Sequence, residues 1–73
     1  MDAKAILELH RERLLSAPGG AFVFAEMAKA SSQGFVSLYD AATIALRCAG
    51  TIANAQQVAA LARLRSDLMD AES

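Results

Sequence analysis

Between Leu14 and Ala62 the chain carries only four charged residues: Glu26, Lys29, Asp40 and Arg47. The remaining eleven of its fifteen charges lie in the first 13 and last 11 of its 73 residues. A long, charge-poor middle flanked by charged ends constrains the fold strongly. The middle must be covered by the two ends, or else it presents an apolar surface that another chain covers.

Size limits the first option. A globule of 7.7 kDa keeps roughly 4,300 Å² accessible of about 11,200 Å² in its unfolded chain. A core this small supplies only about 3–5 kcal/mol unless it is stapled. With one cysteine, Cys48, no intrachain disulfide can form, and one histidine with one cysteine falls short of a structural zinc site. No metal and no cofactor are expected. Apolar residues other than glycine make up 55% of the chain, above the roughly 45–50% that is usual even when glycine is counted. Composition therefore favours association, with a dimer as the expected homo-oligomer.

The net charge of −1 offers no electrostatic handle for nucleic acid or for an anionic membrane. No apolar run approaches the ~20 residues of a membrane span. The start, with Asp2, Glu8 and Glu12 among its first residues, lacks the basic opening of a signal peptide. These features predict a soluble, cytoplasmic protein with a reduced cysteine. Seventeen alanines favour helix and suit a bacterial source.

Glycines divide the chain into pieces of helical length at Pro18-Gly19-Gly20, Gly34 and Gly50. The reading is all-α, a compact bundle of four short helices over about 2–16, 21–32, 37–49 and 52–71, in a single small domain. The first is amphipathic: Ala3, Ile6, Leu7, His10, Leu14 and Ala17 share one face, and Glu8 can pair with Arg11 one turn on. In the second, Phe22, Val23, Phe24, Met27 and Ala28 surround most of the circumference, as in a helix buried on more than one side. Strand-formers in this region also admit an α+β alternative, with a β-hairpin formed by 21–25 and 35–39.

Ser37 reads as the N-cap of the third helix, with Asp40 in its first turn. Leu38, Ala41, Ala42, Ala45, Cys48 and Ala49 make a small-residue face for close packing. Thr51 reads as the cap of the fourth helix. There Asn54, Val58, Leu61, Leu64, Leu68 and Ala71 approximate a heptad seam, with Arg63 and Asp67 spaced to pair outside it.

Catalytic chemistry finds little material in this pattern. His10 lies on an apolar stripe, where a histidine bonded to a carbonyl or carboxylate is expected. Cys48 lies at the C-terminal end of its helix, the wrong end for lowering a thiol pKa. Glu8 and Glu12 sit on a solvated face, Tyr39 reads as half-buried with its hydroxyl at the rim, and no nucleophile–base pair can be named. An enzyme is not expected.

The favoured function is a protein–protein interaction module of the adaptor, small-chaperone or inhibitor type. It would act through an apolar surface on the second and third helices. Its contact residues would be Phe22, Phe24, Met27, Phe35, Leu38 and Tyr39, because aromatic and methionine side chains anchor interfaces. The alternative is a small helix-turn-helix regulator, with Ser37, Tyr39, Asp40 and Thr43 at the start of the recognition helix and Arg47 behind them.

Overall fold

Leu61, Leu64 and Leu68 form the spine of the molecule. All three are at most 1% exposed, on the last helix, which packs against the first, second and fourth. The computed structural model describes residues 1–72. They form five helices: α1 (Ala3–Leu9), α2 (Arg11–Ser16), α3 (Gly20–Ser31), α4 (Phe35–Thr51) and α5 (Ala55–Glu72). There is no strand among the described residues, so segments 21–25 and 35–39 are helical and the hairpin alternative is excluded. Alanine and methionine in Ala25–Ala30 carry the local preference over the flanking phenylalanines. No helix among the described residues is long and apolar enough to cross a membrane.

The expected first helix is two helices. The whole stripe Ala3, Ile6, Leu7, His10, Leu14 and Ala17 is buried as its periodicity implies, but the backbone tightens at His10 (φ −104°, ψ 3°). There the amide donates to the Leu7 carbonyl three residues back, at 3.0 Å. The His10 ring reaches across to α5, with Nε2 2.6 Å from Asp67 Oδ2. Asp67 therefore faces His10 and not Arg63, whereas the expected Glu8–Arg11 pair forms at 3.1 Å.

Between α2 and α3 the chain turns on Pro18-Gly19-Gly20. A Cβ on Gly20 would lie 1.9 Å from the Leu14 carbonyl oxygen, so only glycine allows α3 to start this close to α2. The turn is clasped from the start of α5. Asn54 Nδ2 and Gln57 Nε2 each donate to the Pro18 carbonyl at 3.0 Å, and Gln56 Nε2 donates to Ser16 O at 3.1 Å.

Two caps differ from expectation. Gly34, at φ 111°, is the boundary residue of α4, which starts two residues before Ser37 and so brings Phe35 against the core. Thr51 ends α4 instead of capping α5, and its hydroxyl donates to the Arg47 carbonyl at 3.0 Å. Asn54 is the cap of α5: its Oδ1 accepts from the Gln57 amide at 3.1 Å. The α4 helix runs through Gly50 and closes with the Ala53 amide on Gly50 O and the Asn54 amide on Ala49 O. This closure puts a left-handed residue at Ala53, φ 57°, where glycine is preferred. The end of α4 is set by where Asn54 must meet Pro18, not by the glycine.

Gly50 and Ala53 thus hold each other's preferred residue. Nothing would meet a Cβ on Gly50 within 4 Å, so Gly50→Ala is expected to stabilise by about 0.5–1 kcal/mol through helix propensity. Ala53→Gly should add a gain of similar order by relieving the left-handed backbone, about 0.5–1 kcal/mol. Gly20→Ala should cost about 2–3 kcal/mol, because backbone must move. Urea midpoints at unchanged slope measure all three.

Candidate functional site

The α3 and α4 helices lie side by side, joined by the short link at Ser32–Gly34, and their outward faces hold all four charges of the middle segment. Glu26, Lys29, Asp40 and Arg47 are all exposed. Between the helices runs an open groove of about 640 Å³. Its lining includes Phe22, Val23 and Met27 from α3, Ala41, Ile44 and Cys48 from α4, and Ile52 just past the end of α4. Glu26 is the one acidic residue of the lining.

The groove forms because α4 offers alanines toward α3. Leu38, Ala42 and Ala49 are fully buried, Ala41 and Ala45 half-buried, and Cys48, the last of that expected face, is exposed. Small side chains let the backbones approach but leave their flank unfilled. Large apolar side chains then stand at the lip. Phe22 is 74% exposed, Ile44 61% and Ile52 69%, and Val36 lies 73% exposed further along α4. Leu9 and Leu15 are exposed on α1 and α2, beyond the groove lining.

The six residues expected at a contact surface divide sharply. Phe22 stands free at the groove lip. Met27 and Leu38 are buried, at 2% and 0% exposure, as part of the core; Met27 forms the floor of the groove and Leu38 does not reach it. Phe24 and Phe35 are half-buried against that core. The Arg11 guanidinium covers Phe24, 5.2 Å from its ring centroid, and Arg65 lies over Tyr39 at the same distance. Each arginine sets its guanidinium over an aromatic face, a favourable cation–π arrangement that already occupies these rings. The Tyr39 hydroxyl lies 3.7 Å from Met69 Sδ.

Ile44, Ile52 and Val36 were missed by reasoning that ranked aromatics and methionine first. The available signal was position: on a helix already burying Leu38, Ala42 and Ala49, residues 36 and 44 must point away from the core.

Away from the groove, His10 is the notable buried polar group. It is 3% exposed, bonded to Asp67 through Nε2, while its Nδ1 is buried with no partner among the described residues. One polar atom without a partner costs about 1–3 kcal/mol. His10 sits where α1 meets α2 and serves to tie them to α5. No group of three or more His, Cys, Asp or Glu is placed to hold a metal ion among the described residues.

Truncation separates core from surface. Met27→Ala is expected to lower stability by about 2–5 kcal/mol, whereas Phe22→Ala should change it by less than about 0.5 kcal/mol. Chemical denaturation of both variants checks the assignment.

Compared with known proteins, the chain matches no family model, no curated protein and no solved structure.

Proposed function

We propose that this protein is a small interaction module that self-associates as a dimer and binds protein through the outward face of α3 and α4. The observation that carries this reading is the groove with Phe22, Ile44 and Ile52 standing at its lip, each more than 60% exposed. Exposed apolar side chains scattered singly are ordinary, but grouped around a concave apolar surface they mark an interaction site. The accessible area, 4,407 Å², matches the roughly 4,300 Å² of a well-folded monomer of this mass. The exposed apolar groups are therefore not the result of loose packing. Adaptor, small-chaperone and inhibitor roles all fit such a surface.

The rival helix-turn-helix reading would use α3, the short link and α4. It draws little support from charge, because α4 presents one anion, Asp40, against one cation, Arg47, and phosphate contacts require a surplus of cations.

Light scattering during size exclusion tests the proposal. The wild-type chain is expected at twice its 7.7 kDa mass at 100 µM or so. Phe22→Glu should weaken association at least tenfold while leaving the thermal midpoint of the dilute protein unchanged. A wild-type monomer that binds no apolar-surface dye would sink the reading. Fluorescence anisotropy with random duplex DNA at low salt is expected to show no binding.

A further inference from the structure

We infer that the second copy docks on α4 by an antiparallel two-fold contact, in which Asp40 of each copy pairs with Arg47 of the other. This inference rests on the self-association proposed above and specifies its geometry.

Asp40 and Arg47 are the only charged residues of α4, and both are exposed. Seven residues apart, they sit two turns away from each other on nearly the same face, offset by about 20° around the axis and ~10.5 Å along it. That is too far for a contact within one helix, where neighbours are three or four residues apart. No ion pair forms at either residue among the described residues. On a single helix the two charges are therefore opposite in sign, coaligned and unmatched.

A two-fold axis perpendicular to α4, midway between them, matches both at once. The copy of α4 then runs antiparallel, and each charge lies opposite its complement. The axis passes beside Ile44, which is 61% exposed and would meet its own counterpart. The same operation sets Val36, near the start of α4, opposite Thr51 and Ile52 at the end of the other copy. Phe22 shares the groove lining with Cys48 and Ile52, at the end of α4 that Val36 of the second copy would reach. The exposed residues Phe22, Val36, Ile44 and Ile52 would all enter one self-complementary surface.

The length of α4 suits such a contact. Seventeen residues make α4 about 25 Å long, against a longest molecular dimension of 30 Å. A standard interface takes about 600–800 Å² from each partner, which is about a sixth of the 4,407 Å² available. Alternatives that use one copy in parallel would set Asp40 against Asp40 and Arg47 against Arg47, and so repel.

The experiment uses charge reversal in the full chain. Asp40→Arg and Arg47→Asp are both exposed substitutions, and circular dichroism should confirm that each variant folds. Either variant alone places two like-charged pairs in its own dimer, and its dissociation constant, measured by sedimentation velocity, should rise at least tenfold. An equimolar mixture of the two should recover dimer mass as a heterodimer, because both crossed pairs become attractive. The double variant should dimerise as the wild type does. If both single variants dimerise with wild-type affinity, or the mixture gains nothing over its components, the arrangement is overturned while self-association stands. If the wild type is monomeric up to millimolar concentration, or gains mass only with a different protein, self-association and this arrangement fall together.

Discussion

The turn at Pro18-Gly19-Gly20 is the constraint on which the arrangement of helices depends. It folds α3 back on α2 so tightly that the first residue of α3 has no room for a Cβ beside the Leu14 carbonyl. Two side-chain amides from the beginning of α5 then satisfy the exposed carbonyl of Pro18. One small polar cluster thereby fixes three junctions: the end of α2, the start of α3 and the start of α5. Because Asn54 is held there, α4 must run past Gly50 and close at Ala53. The position of Phe22, two residues into α3, follows from the same turn.

The leucine spine of α5 does the complementary, non-directional part. Leu61, Leu64 and Leu68 meet Ile6, Leu7 and Leu14 from the first pair of helices and Leu38 with its alanines from α4 within one buried cluster. Alanine on α4 draws the backbones close but fills little volume. Among the described residues no other helix lies over the outer sides of α3 and α4, so those sides are open to solvent. The apolar groove is thus the counterpart of the way the core is built, and the proposed dimer would meet its lip at Ile44.

The sequence made much of this legible where periodicity was long and unambiguous. The buried stripe from Ala3 to Ala17 and the leucines of α5 follow directly from helical spacing, and helix was the right reading for the middle despite its strand-formers. The contact surface was legible only in part. Residue type favoured Met27 and Leu38, yet the requirement for a core claimed both. Phe24 and Tyr39 were credible anchors until Arg11 and Arg65, distant in sequence, covered them.

Local signals at helix ends were the weakest guide. Ser37 and Thr51 have the chemistry of caps, and Gly50 that of a stop, but all three lie inside α4. A cap contributes about 1 kcal/mol, and burying Phe35 while holding Asn54 on Pro18 outweighs it. The sequence by itself determined that the chain is helical, that its ends carry the solvated faces and that its middle lacks them, because hydrophobic period and charge placement are properties of the chain. Only the tertiary structure decided where each helix ends and which apolar side chains remain outside, because those depend on contacts between residues far apart in sequence.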